Sequence, residues 1–260
     1  MRYWSWLFAA HAARDSLLGI YALTAEWRAL LDPGTEIEVA RLKLVWWREE
    51  LERTAAGSAL HPITRYLADL PHAAAADFGP LTQSVDAAAV EVAGAPLEQG
   101  IELESHADAL YGAPLLVAAR LAGARGELNR AKACIAALAA GEYLARVIRE
   151  YRREARIGRI PFAVDELLAA GIDNDDLVAG EPPPRLQAYL IQLQRRAAGY
   201  FSNAAAALGP EERPALRHLP VLAALGAKHL NDRQRGSGAD FRLGDLYNAW
   251  NAARRAAIAR

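Results

Sequence analysis

Glu150 and Glu154 stand four residues apart in LAAGEYLARVIREYRREARIGRIPFAVDEL, residues 138–167. On a helix that spacing sets two carboxylates side by side, about 5–6 Å apart at their Cβ atoms, where they repel each other by roughly 0.2–0.5 kcal/mol unless something compensates. Arg146, Arg149, Arg152, Arg153, Arg156 and Arg159 fill the same polar arc. Two chemistries fit this pattern. One is a salt-bridged face, with Glu142, Arg146 and Glu150 forming a ladder at spacing four. The other is a pair of oxygen ligands for Mg²⁺ beside an arginine patch that grips phosphate.

The element that carries these groups reads clearly. Leu144, Val147, Ile148, Tyr151 and Ala155 recur at helical spacing, and Gly158 with Pro161 close behind marks the end. A second charged helix is expected from Asp15 to Leu31, capped by Asp15 or Ser16 and stopped by Pro33-Gly34. It brings Tyr21, Arg28 and Asp32 to one face, with Arg28 and Asp32 as a spacing-four pair. His106 and Tyr111 are neighbours on a third segment, where they face a cavity or sit as satisfied core groups.

Around these, Glu36 to Ala56 reads as a helix in which Leu42, Val45 and Trp46 supply core positions and Glu49 and Arg53 charged ones. The tandem Trp46-Trp47 must send one indole inward and leave one on the flank. His61-Pro62 opens another helix, with His61 as a capping residue. The pattern stays helical from Leu81 to Ala124, broken at Gly94-Ala95-Pro96, Gly112 and Gly123, and Ala109, Gly112, Ala113 and Ala119 allow close helix approach. The acidic run at Asp173, Asp175 and Asp176 lacks the glycine and closing glutamate of a calcium loop and reads as a capped connection. Helices follow at Arg185 to Leu208, at Arg213 to Leu230 and, after NDRQRGSGAD, at Leu243 to Ile258, where Tyr247 and Trp250 are placed on the apolar side and Arg254, Arg255 and Arg260 at the C-terminal end.

The balance of 30 Lys plus Arg against 31 Asp plus Glu gives no global field of the kind that binds nucleic acid. A single cysteine, Cys134, fits a reducing compartment. The start, MRYWSWLFAAHAARD, has too short a basic and apolar region for a cleaved leader, and no stretch is long enough to cross a membrane. No strand alternation, P-loop, dinucleotide fingerprint, CxxC pair or nucleophile elbow occurs. The expected fold is all-α, with residues 1–260 as a single domain.

The order of features resembles the squalene/phytoene synthase family over nearly the whole chain. The matching stretches are LGIYAL, RLKLVWWREEL with His61-Pro62, LYGAPLLVAARLAG, REYRREARIGRI and VDELLAAGI. The resemblance implies an isoprenoid-synthase-like helical bundle around a central apolar cavity. It also implies, for active members, head-to-head joining of two prenyl diphosphates with Mg²⁺ held by two acidic motifs, because an allylic diphosphate leaves only when its growing charge is neutralised.

Carried over residue by residue, the first motif, DDxxD, falls on Arg28, Ala29 and Asp32, and the second, DxxxD, on Glu150 and Glu154. Asp32, Glu150 and Glu154 are therefore the expected catalytic and weak metal-binding residues. Tyr21, Arg28, His106, Tyr143, Arg146, Arg149, Arg153 and Arg159 are the expected substrate contacts. His106 stands where a Tyr is usual, and Tyr143 and Arg146 where the resemblance places Gln and Asn. Two readings follow. In the first the protein is a pseudoenzyme, non-catalytic or weakly catalytic. It binds an isoprenoid or other lipid, or serves as an assembly-type factor like those of respiratory complex I in a divergent branch of the family. In the second it is an active Mg²⁺-dependent prenyltransferase in which Arg28 pairs directly with the diphosphate. Both place it in the cytoplasm, with peripheral contact to the inner membrane.

Overall fold

The computed structural model describes residues 1–260 except 33, 126–127, 235–242 and 259–260. Among the described residues helices succeed one another and no strand occurs: α1 (Arg2–Leu7), α2 (His11–Leu30), α3 (Ile37–Ala55), α4 (Pro62–Ala68), α5 (Gly79–Val92), α6 (Glu102–Ala107), α7 (Ala113–Leu121), α8 (Asn129–Arg156), α9 (Val164–Ala169), α10 (Asn174–Val178), α11 (Pro184–Ala207), α12 (His218–Gln234) and α13 (Leu243–Ile258). None is long and apolar enough to cross a membrane.

The 28-residue α8 is the axis. One part of it, with Cys134, Ile135 and Leu138, packs with Phe201 of α11 and Leu219, Leu222 and Ala223 of α12. Farther along, Leu144, Val147 and Tyr151 join the main core with Leu17, Ile20, Leu23 and Trp27 of α2, Leu81 and Val85 of α5, and Leu186, Tyr189 and Leu193 of α11. The close approach rests on missing side chains. A Cβ on Gly141 of α8 would lie 2.9 Å from the Phe201 ring, and one on Gly226 of α12 only 2.4 Å. Phe201 is thus wedged between two glycines.

Between α6 and α7 the chain does not break at Gly112. Residues Asp108–Gly112 instead form a single π-turn inside one continuous helical run. Such a turn adds a residue to the repeat and re-aims the side chains it carries. Here Leu110 and Tyr111 turn inward, and Gly112 lets the run approach Ile135 of α8. Burial pushes the Asp108 carboxyl up from its ordinary range.

Several local expectations are corrected. α2 starts at His11, four residues before Asp15, with Ala10 at the cap position and no side-chain cap; Ser16 is buried inside the helix and donates to Ala13 O at 3.0 Å. On α3 the inward face is Ala40, Leu44, Trp47 and Leu51, while Leu42 and Val45 are exposed. Trp46 and Trp47 do divide, the first on the flank and the second in the core. α12 begins at His218, not Arg213, because Arg217 turns back to donate to Phe8 O and Ala9 O at 2.7 and 2.9 Å. Tyr247 and Trp250 face outward, and Ala249, Ala253 and Ala256 take the inner side of α13. Pro33, Arg260 and the Arg235–Asp240 part of NDRQRGSGAD lie outside the described residues.

Other readings stand. His61 caps α4, its Nδ1 accepting from Ile63 N at 3.2 Å. Asp173 and Asp176 form a capping box at α10, and Asp176 is gripped by Arg185 at 2.6 and 2.7 Å, so the acidic run is structural.

Substituting Gly226→Ala forces a methyl group into the ring of buried Phe201. The expected loss is about 1–3 kcal/mol of stability despite the better helix propensity of alanine, read as a lowered urea midpoint with unchanged m-value.

Candidate functional site

The C-terminal turn of α2 and one face of α8 frame a cavity of about 270 Å³, lined by Arg28, Leu31 and Asp32 on one side and Glu142, Arg146, Arg149, Glu150, Arg153 and Glu154 on the other, with Tyr111 of the π-turn at its floor. Asp32, Glu150 and Glu154, predicted to act together, do share this space. A smaller recess of about 40 Å³ lies next to it, bounded by Glu91, His106, Tyr143, Arg146, Glu154 and Arg159. Deeper in, Ile20, Tyr21, Leu110, Tyr111, Leu115 and Leu222 enclose about 20 Å³ of mostly apolar space.

The ion pairs differ from the expected ladder. Arg146 does not bond Glu142 or Glu150; it crosses to Glu91 of α5, which also meets His106 Nε2 at 3.2 Å. The crossing supplies a cation to Glu91, whose side chain is largely buried on α5 and would otherwise have only His106 as a partner. Glu142 instead meets Arg28 at 3.7 Å, so Arg28 is committed across the helix gap and not to Asp32. The Arg28 guanidinium also lies 5.1 Å from the Tyr111 ring centre. Asp32, past the helix end, is exposed and accepts from Gly34 N at 3.3 Å.

The two glutamates of the spacing-four motif are each matched. Glu150 accepts from Arg149 at 2.8 Å and meets Arg153 at 3.6 Å. Glu154 meets Arg153 at 3.8 Å and Arg159 at 3.5 Å. Arg159 reaches that place through the turn at Gly158, whose φ of +78° only glycine adopts freely. The same turn closes Arg159 N onto Glu154 O at 3.0 Å. From there the Arg159 guanidinium also points to Leu31 O at 3.4 Å and Val92 O at 3.5 Å, the carbonyl ends of α2 and α5.

Electrostatics follow from burial and pairing. Burial drives the Glu91 carboxyl up, but Arg146 and His106 outweigh it, and the net displacement is downward. Burial also raises the Tyr143 hydroxyl, whose ring lies under Arg146 at 5.2 Å and edge-on to His106 at 5.4 Å. Tyr21 is pushed up to about 12, mainly by burial, and shares a hydrogen bond of 2.8 Å with Ser5 Oγ. Arg146 Nε is buried and makes no hydrogen bond.

Sequence reasoning missed Glu91 and Arg2. Arg2 donates to Thr24 Oγ1 at 2.7 Å and lies over Tyr21 at 5.2 Å, closing the deep recess. The available signal for Glu91 was an acid set between two valines, Val90 and Val92, near the end of an Ala- and Val-rich helix; for Arg2 there was none. Among the described residues no three acidic, His or Cys side chains gather as a metal-holding group.

The all-helical bundle has an isoprenoid-synthase-like fold. The family model for squalene/phytoene synthase matches residues 1–256, and the chain belongs to that family. It is 24% identical over 216 residues to phytoene synthase 2, chloroplastic, of Solanum lycopersicum, covering 82% of this chain and 69% of that one. In structure it is similar to a dehydrosqualene synthase solved in complex with ligand, with a TM-score of 0.77 at 14% identity, covering 98% of this chain and 89% of that one. It is likewise similar to the squalene synthase HpnC from Alicyclobacillus acidocaldarius, with a TM-score of 0.73 at 19% identity, covering 90% and 88% of the two chains. These structural likenesses establish the fold.

The Arg146–Glu91 pair sets a pH response whose sign depends on the partner. With Arg146 present the folded carboxyl lies below its ordinary 4.5, so its stabilisation is complete above that value and is lost as pH falls through the folded pKa. In Arg146→Gln burial dominates and the folded pKa rises, so stability at neutral pH drops by about 3–5 kcal/mol and part of it returns on acidification. Urea midpoints of both proteins between pH 3.5 and 7 check the reversal.

Proposed function

We propose that this chain retains the prenyl-synthase fold while its metal-diphosphate site has become an arginine-faced pocket. It binds the anionic head of an isoprenoid or related lipid without ionising it, or does so only weakly. The carrying observation is the order of exposure at the mouth. The Arg28, Arg149 and Arg153 side chains are 43, 44 and 52% exposed, whereas Glu142, Glu150 and Glu154 beneath them are 13, 22 and 7% exposed. An arriving ligand meets guanidinium first. Each guanidinium carries five donors, so one can hold its glutamate and still offer N–H groups to a phosphate.

The donor set does not fit a magnesium cluster as arranged. Glu150 and Glu154 already serve Arg149, Arg153 and Arg159, and Arg28 stands where the resemblance places a carboxylate. A prenyl tail would run past Tyr111 toward Ile20, Leu115 and Leu222. The side chains there leave about 20 Å³, so a long tail requires the π-turn carrying Leu110 and Tyr111 to move. On this reading the protein works in the cytoplasm, peripheral to the inner membrane, as a lipid-binding or assembly-type factor.

The second reading, a working head-to-head prenyltransferase, is favoured by one observation: Asp32, Glu150 and Glu154 line the same cavity. It requires Glu150 and Glu154 to release their arginines in favour of Mg²⁺.

Two measurements separate the readings. With farnesyl or geranylgeranyl diphosphate and Mg²⁺, no steady pyrophosphate release is expected; sustained release that disappears in Glu150→Gln establishes the second reading. Equilibrium binding of the same diphosphates is expected to persist in excess EDTA. It should weaken about 10- to 100-fold in Arg28→Gln, the loss of one charge-assisted hydrogen-bonding group.

A further inference from the structure

α13 is built inside out. Its inner side, toward Val221 and Leu225 of α12 and Trp4 of α1, consists of Ala249 and Ala253, with Ala256 and Asp245 also buried. Among its described side chains the large apolar ones point the other way: Tyr247 is 62% and Trp250 46% exposed, and Leu246 and Ile258 are exposed as well. Burying alanines while leaving two aromatics and two branched aliphatics exposed is the reverse of what burial of apolar surface favours. Among the described residues nothing covers these side chains, and the outward face is open to an occupant outside the bundle.

The charges on that helix narrow the occupant. Its one acid, Asp245, is turned inward and held by Lys228 Nζ at 2.8 Å and His229 Nε2 at 2.9 Å. Its exposed charges are Arg254 and Arg255, and the Arg254 guanidinium lies 5.1 Å from the Trp250 ring centre. The outward face is therefore apolar, aromatic and cationic, with no exposed carboxylate. A second copy of the chain is a poor fit. The 16 residues of α13 present a strip about 24 Å by 10 Å, roughly 240 Å², against the ~800 Å² per partner of a stable interface.

We propose that the outward face of α13 is a docking surface for anionic phospholipid, lying in the plane of the headgroups. Trp250 and Tyr247 suit the boundary between headgroup and acyl chain, where an apolar ring with a polar edge is best accommodated. Leu246 and Ile258 enter the acyl boundary, and Arg254 and Arg255 meet lipid phosphates. The surface is built from α13 alone. Its role rests on the peripheral membrane placement proposed above, but it neither includes nor depends on the arginine-faced cavity between α2 and α8, so diphosphate binding there and flotation fail separately.

Flotation of the full chain with vesicles of phosphatidylcholine and phosphatidylglycerol, and with phosphatidylcholine alone, tests this. The wild type is expected to float with the anionic vesicles. The triple variant Leu246→Ser, Tyr247→Ser, Trp250→Ser, assayed below its own melting temperature, is expected to lose at least about tenfold in partitioning. Arg254→Gln with Arg255→Gln should reduce binding to anionic vesicles about tenfold and leave the weak binding to neutral ones unaltered. Three results overturn the proposal: a wild type that stays at the bottom with both vesicles, variants that float as well as it does, or a wild-type dimer in sedimentation equilibrium that the triple variant dissolves. The last would make a second copy the occupant.

Discussion

A carboxylate withdrawn from water must find a cation, and that requirement organises this bundle. Glu91, Glu142 and Glu154 lie on two helices, and each is answered by an arginine: Arg146 from α8 to α5, Arg28 from α2 to α8, and Arg159 from the turn after α8. Two of these pairs join helices that are distant in sequence, so they fix how α2 and α5 stand against α8. Removing a partner from the Arg146–Glu91 or Arg159–Glu154 pair would leave the other largely buried and charged, which costs more than the pair itself contributes. The network is therefore hard to dismantle one residue at a time.

Helix ends add a second layer to the same arrangement. α2, α5 and α8 each finish near Arg159, whose guanidinium faces Leu31 O and Val92 O and whose amide caps Glu154 O. Helix C-termini carry partial negative charge from unsatisfied carbonyls, and a cation placed among three of them is stabilised by all. Gly158 makes this geometry accessible, since its left-handed conformation reverses the chain within one residue. The corner around Arg159 is thus complete within the protein, while the mouth at Arg28, Arg149 and Arg153 keeps guanidinium surface toward solvent.

The helices were legible where one side chain decides the matter. Gly158 ended α8, His61-Pro62 opened α4, and Asp173 capped α10, each through a local backbone requirement that no tertiary contact overrides. The inward faces were less legible. On α3 the wheel does not tell Leu44 from Leu42, and the choice falls to the packing of Trp47 against Trp27 and His61. On α13 large apolar residues were placed inward, whereas close approach to α12 favours alanine. At the site the acidic residues were found by spacing, but their partners were not. Spacing four on one helix suggested Glu142–Arg146–Glu150; the fold sends Arg146 to Glu91, a contact between residues 55 apart that no local pattern encodes.

On the proposed reading, in which Arg28 stands at a carboxylate position and Glu150 and Glu154 at aspartate positions, the first difference outweighs the other two. Replacing Asp by Glu lengthens a ligand by one methylene and keeps its charge, a change that a flexible oxygen ligand can absorb. Replacing a carboxylate by guanidinium reverses a sign. Two unit charges about 4 Å apart at a partly solvated site interact by about 4 kcal/mol, and a divalent ion doubles that. Exchanging attraction for repulsion at one position therefore moves the affinity for Mg²⁺ by far more than lengthening two ligands does. The same exchange moves the affinity for a phosphate group the other way. Glu142, 3.7 Å from Arg28, is what keeps that cation in place when no anion is there. A ligand that binds at this mouth therefore has to compete with a glutamate for an arginine, and the outcome is set by how many guanidinium donors it can reach at once. A diphosphate, with several oxygens on adjacent phosphorus atoms, reaches more of them than a single carboxylate can.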